Sequence, residues 1–223
     1  MYKAVVFDFD YTLGDSTPGI VQSANYALQK LGWPPQETEA IRKTIGLTLQ
    51  KTFAVLTGSE DPALAQGYAD YFHEMAAQVM TDNTTLYPDA LRMLQAFKAQ
   101  GCKTAIVTTK AHRTIQHIVD RFGAQPLLDE VIGGDDVSKE KPDPEGLLGV
   151  LARFGVEKED LLYIGDSLVD AKTAKAAGVP FAAVLTGTTP AEAFAPYQPV
   201  FIGGQLDEVY AFAAGRALAG ALA

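Results

Sequence analysis

Apolar residues along the chain fall into two rhythms. Short, nearly unbroken apolar runs occur at Tyr2-Lys3-Ala4-Val5-Val6-Phe7, Lys103-Thr104-Ala105-Ile106-Val107, Leu161-Leu162-Tyr163-Ile164 and Pro180-Phe181-Ala182-Ala183-Val184, with a weaker one at Glu130-Val131-Ile132. Runs of that length and β-branched content predict strands buried on both faces. Between them the apolar positions recur every three or four residues, which predicts helices over residues 89–100, 114–122, 146–154 and 169–177, stopped at Gly101, Gly123, Gly155 and Gly178. Strands alternating with helices imply right-handed βαβ units and a parallel sheet covered on both faces. The fold class is α/β, a Rossmann-like core.

One stretch breaks the alternation. Residues 16–83 contain no strand pattern and several helical ones. The first has Pro18 just inside its start and Ile20, Ala24, Ala27, Leu28 and Leu31 on one face, and it ends at Gly32. After the turn Trp33-Pro34-Pro35 come helical patterns over residues 37–45, 48–56 and 62–80. This predicts a small all-helical domain of residues 16–83 inserted after the first strand of a core made of residues 1–15 and 84–223. The alanine-rich tail, residues 211–223, reads as a closing helix.

Composition narrows the classes. With 223 residues, 48% apolar and 20% charged, the chain is long enough for a sizeable core and ordinary for a globular protein. Its single cysteine, Cys102, excludes a disulfide framework and multi-cysteine metal sites, and suits a reducing compartment, so a cytoplasmic location is expected. The longest uncharged stretch, residues 176–191, is interrupted by Gly178, Pro180, Gly187 and Pro190, so no membrane span is expected. Lys and Arg number 18 against 27 Asp and Glu, a net charge of −9 that repels a nucleic acid polymer. An anionic substrate would need a local reversal of sign.

Candidate chemistry sits at the strand ends, where open parallel sheets bind ligands. Asp8 and Asp10 follow the first strand, and Asp166 and Asp170 follow Ile164-Gly165. If those strands are neighbours, up to four carboxylates converge. That arrangement calls for a cation, and an all-oxygen donor set suits magnesium. Each acid also has an ordinary reading, since Asp166-Ser167 before a helix can simply cap it. Thr108-Thr109-Lys110 places hydroxyls and backbone N–H groups at another strand tip, and Lys141-Pro142 places a lysine in extended or turn backbone rather than a helix.

The order Asp8-x-Asp10-x-Thr12, Thr108 after an apolar strand, Lys141-Pro142 and Gly165-Asp166-x3-Asp170 resembles the four signature motifs of the haloacid dehalogenase superfamily. Asp10-Tyr11-Thr12-Leu13-Gly14-Asp15-Ser16, Gly133-Gly134-Asp135-Asp136-Val137 and Lys141-Pro142-Asp143-Pro144-Glu145 look like its phosphoglycolate phosphatase-like branch, whose helical cap is inserted at the same place. The resemblance implies a magnesium-dependent phosphatase of a small phosphorylated metabolite. It makes Asp8 the nucleophile that carries an aspartyl-phosphate, and Asp10 the acid and base for the leaving oxygen and the attacking water. Thr12 would hold the Asp10 loop, and Thr108, Thr109 and Lys141 would bind the phosphoryl group. Asp8, Asp10 (through its backbone carbonyl) and Asp166 would hold Mg2+, with Asp170 orienting Lys141 or a metal-bound water.

Two positions depart from that pattern. Tyr11 stands where the family has glycine, and Thr109 where this branch commonly has asparagine, Thr-Thr-Lys being found in pyrophosphatase-like members. Substrate choice would lie in the cap, with Tyr11, Asp15, Ser16 and Arg42 as entrance or leaving-group contacts, although Arg42 and Lys43 also read as a solvated helix face. The dehalogenase and phosphonate-hydrolase branches have no use for Asp10. A pyrophosphatase, a nucleotide or sugar phosphatase, a phosphosugar mutase and a non-catalytic binding module remain as alternatives.

Overall fold

A computed structural model describes residues 2–220. The chain divides into two compact units, one formed by the residues up to Gly14 and from Leu86 onward, the other by Asp15–Thr85.

The first unit is built on six parallel strands. In chain order they are β1 (Ala4–Phe7), then, after two short strands β2 (Gly14–Asp15) and β3 (Thr85–Leu86) that pair with each other, β4 (Lys103–Val107), β5 (Glu130–Ile132), β6 (Leu161–Gly165), β7 (Phe181–Val184) and β8 (Phe201–Gly203). Their order across the sheet is β5-β4-β1-β6-β7-β8. The chain moves outward from β1 through β4 and β5, then returns to the other side of β1 with β6. The switch in direction falls between β1 and β6, where a doubly wound sheet opens its ligand crevice. Register places Phe7 opposite both Ile106 and Ile164, so the segments after β1, β4 and β6 leave the sheet at one level.

Every residue of β1, β6 and β7 is buried, as their unbroken apolar runs require. Val6, Ala105, Leu147, Leu161, Tyr163 and Phe181 belong to one continuous core on one side of the sheet. Each fully buried Leu or Phe contributes about 1.5–3 kcal/mol, so this layer holds the strand ends rigidly. Helices α5 (Ala90–Ala99), α6 (His112–Arg121), α7 (Glu145–Phe154) and α8 (Leu168–Ala177) connect the strands. Both α7 and α8 end on a left-handed glycine, Gly155 and Gly178, a conformation that an L side chain would strain.

The helical unit contains α1 (Thr17–Lys30), α2 (Thr38–Arg42), α3 (Leu49–Thr57) and α4 (Pro62–Val79). Trp33 meets Phe53 edge-on with centroids 5.4 Å apart, and Phe53 in turn packs on Tyr68, giving this unit an aromatic core of its own. A side chain at Gly19 would meet the Met80 backbone at 3.2 Å, so glycine lets α1 approach the end of α4 closely.

The structure corrects several sequence expectations. The closing helix α9 runs Leu206–Gly220 and so begins five residues before position 211, because Leu206 and Val209 belong to its buried face; residues 221–223 of the expected helix lie outside the described residues. Strand β8 has no apolar run long enough to announce itself and forms by pairing with β7. The helix expected over 37–45 stops at Arg42. Among the described residues no helix is long and apolar enough to cross a membrane.

Candidate active site

The loop after β1 carries Asp8 and Asp10. Backbone bonds hold it: Thr12, Leu13 and Gly14 N–H all donate to the Phe9 carbonyl (3.1, 2.8 and 3.1 Å), and Tyr11 N–H donates to Gly14 O at 2.7 Å. The Thr12 hydroxyl is buried without a hydrogen-bond partner, so the loop is held by its main chain and not by the expected Thr12 side chain. Tyr11 adopts φ +57°, the left-handed region, which explains why glycine is common there and tyrosine costs about 1 kcal/mol. Tyr11 is buried, and its carbonyl accepts a bond from the Thr186 hydroxyl.

Asp8 N–H donates to Ile164 O at 2.9 Å, which ties the start of this loop to β6 and answers the open question of adjacency. Asp8, Asp166 and Asp170 are all buried, with one oxygen from each lying within 4.8 Å of the others. Lys141 reaches into the group: its Nζ is 2.7 Å from Asp170 Oδ1, 2.9 Å from Asp8 Oδ1 and 3.0 Å from the Tyr163 hydroxyl. The Asp8 contact is an ion pair.

Asp170 differs from the other two. Its Oδ1 accepts from Lys141 and from the Tyr163 hydroxyl (2.9 Å), and its Oδ2 accepts from Ser167 N–H (3.0 Å) and Ser167 Oγ (2.6 Å). Ser167 Oγ also accepts from Asp170 N–H, so the pair is a capping box at the start of α8. The cap is therefore Ser167, and Asp166 is free of that duty. A side chain at Gly165 would strike Asp170 Cβ at 2.5 Å, and one at Gly187 would lie 1.9 Å from Asp166 Oδ2. Glycine at both positions leaves room for the two carboxylates.

Electrostatics separates the acids. Burial pushes the Asp8 carboxyl up to about 6; Lys141 opposes that shift, while Asp170 and Asp10 add to it. Burial, with the charges of Asp170 and Asp8, holds Asp166 well above the usual carboxylate range. Burial would lower the Lys141 ammonium, but Asp170 and Asp8 keep it well above its ordinary value. Three buried carboxylates thus face one ammonium, and the excess negative charge with all-oxygen donors fits a hard divalent cation. Asp8 and Asp166 have oxygens to offer such an ion; Asp170 has committed both of its own to protein donors.

Asp10 has a partner that sequence reasoning missed. Lys110 Nζ lies 3.0 Å from Asp10 Oδ2, with both side chains largely buried, while Asp10 Oδ1 is buried without a hydrogen bond. A lysine two residues beyond a strand-end threonine was the available signal. Thr108 is also buried at the tip of β4, its N–H donating to Ile132 O at 3.0 Å, and Thr109 is half-buried beside it. Tyr163, Thr186 and Gly187 carried no motif that marked them.

The other residues expected at the entrance have partners within the helical unit. Arg42 pairs with Glu39 on its own helix at 3.2 Å. Asp15 Oδ1 accepts from Thr17 N–H at 2.8 Å, and the Ser16 hydroxyl is buried and accepts from Thr84.

Residues 5–184 match the family model for haloacid dehalogenase-like hydrolases. Phosphoglycolate phosphatase of Rhodospirillum rubrum is 34% identical over 190 residues, covering 81% of this chain and 78% of the relative. Phosphoglycolate phosphatase 1 of Pseudomonas aeruginosa is 31% identical over 205 residues, covering 90% and 75%. Among solved structures, a haloacid dehalogenase-like hydrolase from Bacteroides fragilis superposes with a TM-score of 0.90 at 39% identity, covering 94% of this chain and 100% of that one.

Proposed function

The chain belongs to the haloacid dehalogenase-like hydrolase family, in its phosphoglycolate phosphatase-like branch, and we propose that this phosphatase hydrolyses a small phosphate monoester through an aspartyl-phosphate on Asp8. The observation that carries this reading is the Asp8 carboxylate itself. It stands at the switch point of the sheet, buried, with one oxygen beside the Lys141 ammonium.

In the first step an Asp8 oxygen forms a bond to phosphorus as the bond from phosphorus to the ester oxygen breaks. Asp10 supplies the proton that the leaving oxygen takes up. In the second step water attacks the phosphorus of the aspartyl-phosphate, Asp10 takes the proton of that water, and inorganic phosphate leaves with Asp8 restored. Lys141, with the Thr108 hydroxyl and the hydroxyl and N–H of Thr109, offsets charge on the non-bridging oxygens. Asp170 and Tyr163 hold Lys141 in place. Asp8, Asp166 and the Asp10 carbonyl would hold Mg2+, which when bound reduces the repulsion between a carboxylate and a phosphate dianion.

Two relatives bear the name phosphoglycolate phosphatase, which makes phosphoglycolate the first substrate to try, and the helical unit is assigned the choice of leaving group. A cytoplasmic location agrees with one buried, unpaired cysteine. With magnesium, purified protein should release phosphate from p-nitrophenyl phosphate, and Asp8→Asn should lower turnover at least about a thousandfold with the fold retained. Chelator should stop turnover and magnesium restore it. Equal rates for wild type and Asp8→Asn would remove Asp8 as nucleophile, and turnover indifferent to chelator would remove the metal. A ranking of phosphoglycolate, pyrophosphate, nucleotides and hexose phosphates by kcat/KM would then define the substrate.

A further inference from the structure

Lys110 has no assigned part in the chemistry, yet its ammonium is buried against one oxygen of Asp10 (3.0 Å), leaving the other oxygen enclosed and without a hydrogen bond. Burying a lysine head group is costly unless its partner needs it there. Its backbone is equally constrained. Lys110 N–H donates to Thr108 Oγ1 at 3.3 Å, and Gly134 N–H donates to Lys110 O at 3.0 Å.

The second contact comes from Gly133-Gly134-Asp135-Asp136, a motif with no other use in the site. A side chain on Gly133 would meet His112 N at 2.4 Å, and one on Gly134 would meet Thr109 O at 2.7 Å, so two glycines bring the turn after β5 directly onto the loop after β4. Asp135 Oδ1 then accepts from His112 N–H at 2.6 Å, and Asp136 Oδ2 lies 2.6 Å from His112 Nδ1 and accepts from Gly133 N–H at 2.7 Å. The loop that carries Lys110 is braced from both ends.

We propose that Lys110 is a positioning residue for Asp10, fixing Oδ2 so that Oδ1 is aimed to take the proton of the water that hydrolyses the phosphoenzyme. Lys110 itself neither gives nor takes a proton and touches no reacting atom. This role rests on the reading of Asp8 as nucleophile and Asp10 as its proton partner. An ammonium on one carboxylate oxygen, with the other left free, removes the rotational freedom that would otherwise misdirect the base.

The test separates the two chemical steps with p-nitrophenyl phosphate, whose good leaving group needs little help in the first. Wild type with magnesium must turn over and Asp8→Asn must not; failure there defeats the phosphatase reading itself. Lys110→Met and Lys110→Gln should still release a first burst of about one nitrophenol per chain, while steady-state turnover falls by about tenfold or more. Lys110→Arg should recover part of the steady-state rate. In an Asp10→Asn background, Lys110→Met should add no further loss. A burst and steady state that fall together in both variants, an unchanged steady state, or an additive loss in the double variant would each overturn the proposal while leaving the phosphatase reading intact.

Discussion

Asp170 Oδ1 accepts from Lys141 Nζ at 2.7 Å, with both side chains withdrawn almost completely from water. Asp170 satisfies two further donor groups as well, the Tyr163 hydroxyl and Ser167, which contributes both its N–H and its hydroxyl. Asp8, in the same cluster, makes one ion pair through its Oδ1. Two acids a few ångströms apart therefore bear on stability with opposite sign.

Asp170→Ala should destabilise the metal-free protein by roughly 3 kcal/mol, because it orphans buried donors and leaves Lys141 with Asp8 alone. Repulsion relieved at Asp8 and Asp166 acts the other way but over longer distances, so the lost contacts win. Asp8→Asn should be neutral or stabilising, because it removes a buried charge that has little compensation. Urea unfolding in chelator measures both, and an Asp170→Ala loss under about 1 kcal/mol would show that the network does not hold this part of the fold.

Gly187→Ala should strike the site without touching a carboxylate. The added methyl falls 1.9 Å from Asp166 Oδ2 and 3.1 Å from Asp166 Cβ, so the acid must swing away or the loop must retreat. The magnesium concentration for half-maximal activity should rise by about tenfold, as for other losses of ligand orientation, with little change in thermal stability. An unaltered metal requirement would show that the loop yields and Asp166 keeps its place.

Asp129 links stability to pH away from the site. Burial alone would raise its carboxyl, but bonds from Lys98 (2.8 Å), Thr104 N–H (2.9 Å) and Lys103 (3.3 Å) carry it below its ordinary value. A carboxyl depressed in the folded state contributes stability that is present above its unfolded pKa of 3.8 and is lost as pH falls through the lower folded value. Asp129→Asn should cost roughly 1 kcal/mol at pH 7, a figure that allows for partial exposure of the lysines. The gap between the variant and wild type should close below about pH 4. A gap that stayed constant with pH would assign the effect to packing.

Much of this protein is written in local pattern. Unbroken apolar runs ending in acids made β1 and β6 legible because a strand buried on both faces has no room for polar residues, and an acid directly after one stands out. The helical insertion was equally plain from 68 residues of 3.6-residue rhythm without a strand, the span 16–83. Strand β8 was not, since Phe201–Gly203 is too short to carry a rhythm and exists by pairing with β7.

The sequence by itself determined which side chains could do chemistry, because residue type and order along the chain carry that information. Only the tertiary structure decided how they divide the labour. Adjacency of β1 and β6 turned Asp8 and Asp166 from separate loop acids into one buried group. A capping box with Ser167 engaged Oδ2 of Asp170, Lys141 and Tyr163 engaged its Oδ1, and Lys110, unremarkable in a loop, proved to be the counter-ion of Asp10. Charge compensation depends on distances of about 3 Å between residues as far apart in the chain as Asp8 and Lys141, and periodicity along a chain holds no record of that.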